Sequence, residues 1–532
     1  MPVQITRGAV RGGTYRDSVF LMRVTSRLRI RCGIEHAEVL MGTPNNLKLL
    51  CDQGLLTGEI ADEQPGPSDL VIAVQGKTGA VEEALREALD LIDGRSTLND
   101  TSRDASSAGQ PVVRGISEAV EVLPAANLAL ISVPGPHVRS EAMAALRRNL
   151  NLLIFSSNVS IDDEVAIKRE AAMRGLLVMG PDCGTAMFRK AGLAFANVVR
   201  SGPVGLIGAA GTGLQQVSTL VHLAGSGVSH IIGTGSQDVS LEVGGLTMLA
   251  GLDLLKVDPA TEVVVIVTKP PHPETAKRIL DRARLIQKPV VACFLGVKPV
   301  MVRDLGAVYA ATLEEAALQA VSLAEGKNVD EVGAVIASAG GRREHMIDGE
   351  AQQLADDQRF VRGLYCGGTF AVEAALVLES LLGAVSGNFH ATGIQRLNDP
   401  RTSVGHTILD LGDETFTRGR PHPMIEPVMR EEQILLAAAD RSVGVIVMDF
   451  VLGHVAHPDP AGAVAQTLRT ARQSAAKGGR HLSIIATMCG TDQDPQGLDD
   501  QSRILEEVGA VVMRSNAQTA QIAADILLRR RP

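Results

Sequence analysis

The chain has 532 residues, 45% hydrophobic and 21% charged, a globular balance that excludes disorder and collagen-like architecture. At roughly 100–200 residues per domain, this length implies about three or four domains. A formal charge of −9 leaves no basic field to collect nucleic acid, and no apolar run reaches the ~18 residues of a membrane-spanning helix.

Aromatics are 2%, tryptophan is absent and glycine numbers 54, so the core is expected to be built from small aliphatic side chains in closely packed α/β layers. The six cysteines (32, 51, 183, 293, 366 and 489) form no CxxC pair. That pattern points to a reducing cytoplasm, without disulfides or a zinc ribbon. The N-terminus has no apolar signal core.

Residues 1–95 read as a small α/β unit, with a helix near 17–30, a strand at 38–41 and a strand–helix pair over 69–91. Seven arginines between Arg7 and Arg31 read as a solvated face. Residues 96–112 are polar and aperiodic and read as a linker. Strands return at 128–133, 152–156 and 176–179, with helices between them, so 113–200 reads as a Rossmann-like domain. A second block, 201–330, has strands at 204–208, 230–233, 263–268 and 290–294. A third, 331–532, opens near Gly363 and has strands at 443–450 and 482–488. Near-continuous apolar strands alternating with helices predict parallel sheets covered on both faces. The fold class is therefore α/β, with several doubly wound parallel-sheet domains of Rossmann-like and flavodoxin-like type.

The last two blocks share a Gly-rich turn that opens a helix: GAAGTGLQQV at 208–217 and YCGGTFAVEA at 365–374. In a parallel sheet, ligands collect outside the carboxyl ends of the strands. A glycine turn there exposes backbone N–H groups, and the helix adds about half a positive charge at its start. Gly211, Thr212 and Gly213, and Gly367, Gly368 and Thr369, are thus candidate phosphate ligands. Glycines at such turns also serve sterics alone. If the two helix starts face each other, they make one site for a single phosphoryl group.

Other polar residues sit at predicted strand ends. Lys269 and His272 lie in KPPHPE, and Asp238 lies in GSQDVS. Arg418 and Arg420 in RGRPHP form a candidate fork for a planar carboxylate, beside His422. Asp410 and Asp413 form a possible carboxylate pair, for which loop capping is the competing role. Asp449 ends a strand, with His454 and His457 just beyond it. That HxxH lies on a loop without a third ligand, so no metal site is expected. Cys183 in GPDCGTAMF reads as a structural thiol.

The stretch from about 127 to 311 resembles the alpha subunit of succinyl-CoA synthetase, through ISVPGPHV, VMGPDCGTA, GPVGLIGAAGTGLQQV, GVSHIIGTGSQDVS, DPATEVVVIV and KPVVACFLG. The C-terminal block resembles the ligase domain of that enzyme's beta subunit. The fused order, with HTILDLGDETFTRGRPHPMIEP and GHVAHPDP, resembles the FdrA family of acyl-CoA synthetase-like proteins. The resemblance implies a subunit of an oxamate carbamoyltransferase in allantoin and purine-nitrogen breakdown, converting oxalurate and phosphate to oxamate and carbamoyl phosphate. It implies a hetero-oligomer with further carbamoyltransferase subunits, or a homodimer, and no nucleic-acid or membrane partner. Two departures bear on mechanism. The synthetase keeps its phosphorylated histidine soon after the strand matching KPVVACFLG, whereas residues 295–320 contain no histidine. No ATP-grasp segment or early CoA-binding glycine loop has a counterpart.

On these expectations, inorganic phosphate and carbamoyl phosphate are substrates, and no cofactor is assigned; CoA has no clear cradle. The phosphate lies on 211–213 and 367–369. Lys269, Arg418, Arg420, Asp238, Gly184 and Thr185 bind the remaining substrate, and His272, His422 or His454 protonates the departing amide. An acyl-CoA ligase with a separate ATP-binding partner and a non-catalytic scaffold remain as alternatives.

Overall fold

The computed structural model describes residues 4–14, 16, 18–29, 31–93, 113, 115–341, 343–417 and 421–530. The chain divides into two units, 1–112 with 418–421, and 113–417 with 422–532.

The first unit runs β1 (Gln4–Arg11), α1 (Ser18–Arg29), β2 (Ile34–Met41), α2 (Pro44–Asp52), α3 (Gly58–Asp62), β3 (Leu70–Lys77) and α4 (Thr78–Ile92). Its antiparallel sheet has the order β1-β3-β2. Strand β3, LVIAVQGK, is apolar on both faces because it is central. Leu28, Val81, Ala84 and Ala88 pack on one face and Leu50, Leu55 and Ile60 on the other. Strand β1 was not anticipated, because its apolar residues are broken by Arg7 and Arg11. The early arginines pair with acids of their own unit: Arg7 with Glu59, Arg27 with Glu87 and Arg31 with Glu83.

The second unit opens with α5 (Ile116–Val122), β4 (Leu128–Ile131), α6 (Gly135–Arg147), β5 (Asn151–Ile154), α7 (Ile161–Arg174) and β6 (Val178–Met179). Its three strands form a small parallel sheet, β4-β5-β6. Next come β7 (Thr185–Phe188), β8 (Ala191–Ala194), β9 (Ser201–Gly208), α8 (Gly211–Leu223), β10 (Val228–Gly233), α9 (Leu246–Val257), β11 (Val263–Thr268), α10 (Pro273–Ala283), β12 (Val290–Phe294), α11 (Pro299–Arg303), β13 (Val308–Tyr309) and α12 (Leu313–Ala324). The resulting sheet has the order β13-β12-β11-β9-β10-β7-β8. Its five strands β9 to β13 are parallel, while β7 joins β10 antiparallel and pairs with β8 as a hairpin. Residues 185–194, grouped by sequence with 113–200, therefore belong to this larger sheet. Two four-residue strands turning at Arg189 are too short to announce themselves by periodicity.

The remainder is α13 (Val332–Gly341), α14 (Glu344–Gln353), β14 (Phe360–Tyr365), α15 (Gly368–Leu382), β15 (Val385–Gly387), β16 (Gln395–Arg396), β17 (His406–Asp410), α16 (Glu414–Thr417), α17 (Val428–Ala439), β18 (Val443–Val451), α18 (Pro460–Lys477), β19 (Ser483–Cys489), α19 (Leu498–Glu507), β20 (Val511–Met513) and α20 (Asn516–Leu528). The seven strands are all parallel, in the order β16-β15-β17-β14-β18-β19-β20. Strands β11 and β18 are buried along their full length, as helices on both faces require.

The two large sheets share one core. Leu214 and Val217 of α8 and Ala316 and Ala320 of α12 cluster with Phe370 and Ala374 of α15 and Ala520 and Ala523 of α20. The alanines let these helices approach closely. Within this layer lies Glu373 of α15, which accepts from the Leu313 N–H at 2.7 Å and from Asn516 Nδ2 at 2.8 Å. Burial pushes its carboxyl up to about 7. Between the unfolded and folded titrations, the unfolded chain gives up this proton first, so stability falls as pH rises from about 4.5 to 7. Replacing Glu373 with Gln is expected to flatten that slope in urea unfolding measured from pH 4.5 to 8. An unchanged slope would show that other groups set it.

Candidate active site

Helices α8 and α15 each begin at the carboxyl end of the first parallel strand of a large sheet, β9 and β14, after turns of two residues. Their starts touch. A Cβ on Gly367 would lie 2.8 Å from both Cγ2 and Oγ1 of Thr212, and a Cβ on Gly213 would lie 2.9 Å from Cγ2 of Thr369. A side chain at either position would force the opposing threonine to shift, so glycine is what lets the two helix starts meet. Thr185 stands beside the same junction, its Oγ1 3.7 Å from where a Cβ on Gly211 would sit.

The α15 start is furnished with acids. The Asp449 carboxylate, near the end of β18 and fully buried, accepts from the Cys366 and Gly367 N–H groups, each at 2.8 Å. Arg430 of α17 donates to Asp449 at 2.7 Å and to Cys366 Sγ at 2.6 Å, and lies 4.9 Å over the Phe450 ring. Asp410 ends β17 and brings Oδ2 against Gly368. From the other sheet, Lys269 at the end of β11 reaches the same place, with Nζ 2.9 Å from a Cβ on Gly368. Burial and the charges of Asp413 and Asp449 push the Asp410 carboxyl up to about 6, against the pull of Lys269.

This geometry revises several expectations. Gly211, Thr212, Gly213, Gly368, Thr369 and Lys269 are brought together. Gly367 is at the junction, but its N–H is committed to Asp449 and is not free to hold phosphate. Asp238 lies away from solvent, accepting from the Thr247 and Met248 N–H groups at the start of α9 and from Lys168 at 2.8 Å. Lys168 also binds Glu164 at 2.6 Å, and all three are buried. That network joins α7 to the larger sheet, so Asp238 is a structural anchor. The Gly184 carbonyl accepts from the Phe195 N–H, a backbone role. Arg418 and Arg420 lie outside the described residues.

The three histidines separate. His272 caps α10, its Nδ1 accepting from the Glu274 N–H. His454 is exposed, and its N–H donates to the Ala196 carbonyl. His422 does reach the site: its Nε2 would lie 2.7 Å from a Cβ on Gly412, a position 3.2 Å from Asp410 Oδ1. Its Nδ1 accepts from the Met424 N–H, and burial with the nearby Arg430 charge drives it down to about 4. It is neutral at ordinary pH and carries no spare proton. Sequence reasoning noted Asp410 and Asp449 without giving either a role in the site, and passed over Arg430. An acid near the end of nine consecutive buried strand residues was the available signal for Asp449.

Three family models match. "CoA-ligase" covers 364–526, "CoA binding domain" covers 199–296, and "AllF, heavy metal-associated domain" covers 4–110. The YahF protein of Escherichia coli (strain K12) is 40% identical over 520 residues, spanning 97% of this chain and 98% of that protein. The chain belongs to the YahF family. This YahF-family chain is also 26% identical to the malate–CoA ligase alpha subunit of Methylorubrum extorquens over 268 residues, 47% of this chain and 87% of that one. A dinucleotide-forming acetyl-coenzyme A synthetase of Ca. Korarchaeum cryptofilum aligns over 76% of this chain and 83% of its own at 16% identity, with a TM-score of 0.30. By the family models, residues 199–296 are of CoA-binding type and residues 364–526 of CoA-ligase type. The CoA-binding description falls on the β9–β12 block, within the second of the blocks read from the sequence, 201–330.

In the first unit, the β1–α1 loop GGTYRD has neither Cys nor His, Cys32 and Cys51 are exposed, and among the described residues no three metal-ligating side chains gather. That unit does not fit a metal centre. At the start of α6, Pro134 and Pro136 lack N–H donors, and the Asn158 carbonyl lies against Gly135. That helix start, which lies outside the 199–296 match, offers few free donors for a pyrophosphate. Among the described residues no helix is long and apolar enough to cross a membrane.

Proposed function

We propose that this YahF-family chain is an FdrA-type subunit of a carbamoyltransferase that converts oxalurate and phosphate to oxamate and carbamoyl phosphate. The observation that carries the reading is the α8–α15 junction: two helix starts in contact, in a chain whose residues 295–320 offer no histidine to carry a phosphoryl group. Free phosphate takes the place of a covalent carrier. The N–H groups of 211–213 and of 368 and 369, with Thr212 and Lys269, hold it against the ureido carbonyl. Fixed donors aimed at charge that develops in the transition state are worth most in such a dry site. The working enzyme is a hetero-oligomer with further carbamoyltransferase subunits.

A second reading, an acyl-CoA ligase acting with a separate ATP-binding subunit, is favoured by the CoA-ligase match over 364–526. One experiment separates the two. The chain, purified with its co-expressed partner subunits, is given carbamoyl phosphate and oxamate, and separately ATP, CoA and a dicarboxylic acid. Oxalurate and phosphate are expected from the first mixture. Acyl-CoA from the second, with nothing from the first, overturns the proposal.

A further inference from the structure

We propose that Asp410 is the proton donor of this site, holding at the α15 start the proton that the departing amide nitrogen must receive. The inference rests on the carbamoyl-transfer reading above, but its first test does not. Asp410 is 7% exposed at the end of β17. Asn388 fixes its backbone from both sides, accepting from the Asp410 N–H at 2.8 Å and donating to its carbonyl at 2.9 Å. Oδ1 accepts from the Gly412 N–H at 3.0 Å. Oδ2 has no hydrogen-bond partner among the described residues, and it is the atom aimed at Gly368. A carboxyl oxygen without a hydrogen-bond partner, on a residue only 7% exposed and set against the start of a helix, is a position that calls for either a proton or a ligand.

The groups around it decide which. Lys269 faces it from the end of β11, Asp413 from its own loop, Asp449 from β18, His422 from the loop before α17, and Arg430 from α17 stands behind Asp449. Arg430 is committed to Asp449, and His422 is neutral. Among the described residues Lys269 is therefore the uncommitted cation facing Asp410, against two further acids. Bringing a dianion to the helix starts adds more negative charge, so the anion and the Asp410 proton bind together.

The step balances. An oxygen of hydrogen phosphate attacks the ureido carbon and the C–O bond forms. As the C–N bond breaks, its electron pair goes to nitrogen, which takes the proton from Asp410. The phosphate's own proton passes to the Asp410 carboxylate, which returns it to its starting state. Oxamate and carbamoyl phosphate leave.

Sulfate is the probe for binding, because it stays dianionic across the range of interest. Calorimetric titration of the full chain at pH 5.5 and 7.5 is expected to show affinity falling on the order of tenfold at the higher pH, as the competent protonated fraction shrinks. Asp410→Asn keeps an oxygen for the Gly412 N–H, and it is expected to bind equally at both pH values. Asp413→Asn is expected to move the wild-type midpoint down. A wild type without pH dependence, or an Asp410→Asn protein that keeps it, overturns the assignment. In the reconstituted carbamoyl-transfer assay, Asp410→Asn is expected to lose about 100-fold or more in turnover while still binding sulfate. Full activity in that variant rejects the donor role. A wild type that shows the sulfate pH profile but no carbamoyl transfer rejects the reaction instead, and with it the leaving group that the proton serves.

Discussion

Replacing Asp449 with Ala is expected to cost about 3–5 kcal/mol of folding stability, the penalty for leaving one partner of a buried ion pair alone. The Asp449 carboxylate is fully buried and satisfies three donors: the Cys366 N–H, the Gly367 N–H and Arg430. Arg430 is 4% exposed, and its Nε has no hydrogen-bond partner among the described residues. Without Asp449 the guanidinium keeps only the Cys366 sulfur, the Phe450 ring and water that must enter. Asp449→Asn keeps an acceptor for the turn but not the charge, so it is expected to fall between wild type and Asp449→Ala. Urea unfolding followed by circular dichroism measures both. A loss under 1 kcal/mol for the alanine variant would show that Arg430 finds another anion.

Gly213→Val and Gly367→Ala are expected to lower carbamoyl transfer by about 100-fold each, since displacing a positioned group by about 1 Å has that effect. The cause is steric. The new side chains would occupy space already held by Thr369 and Thr212, so the helix starts must separate. Sulfate affinity is expected to drop in parallel, because donors from both helices no longer converge. Gly79→Ala on α4 is the control, for nothing lies within 4 Å of a Cβ there; it should leave activity untouched. Full turnover in either junction variant would mean that the contact between the helices does not build the site.

Much of this was legible in the sequence because it is periodic. Strands β9, β11, β12, β18 and β19 are near-continuous apolar runs, and parallel α/β packing leaves them few other readings. The paired turns at 208–213 and 365–369 were visible for the same reason, as matched strand–turn–helix signals. Short or interrupted elements were not: β1 carries arginines, and β7–β8 is a hairpin of four-residue strands. The site's acids were legible only as residue types. Whether Asp238, Asp410 or Asp449 is spent on backbone caps or left open depends on neighbours from distant segments, Lys168 for the first and Arg430 for the third. Histidines drew attention for their usual titration range, yet burial of His422 removes that advantage while burial of Asp410 creates it.

Because α8 and α15 start from one continuous polypeptide, their meeting is a matter of folding and not of association. Dilution cannot dismantle the junction, and no second chain has to be present at matching concentration for the two helix starts to meet.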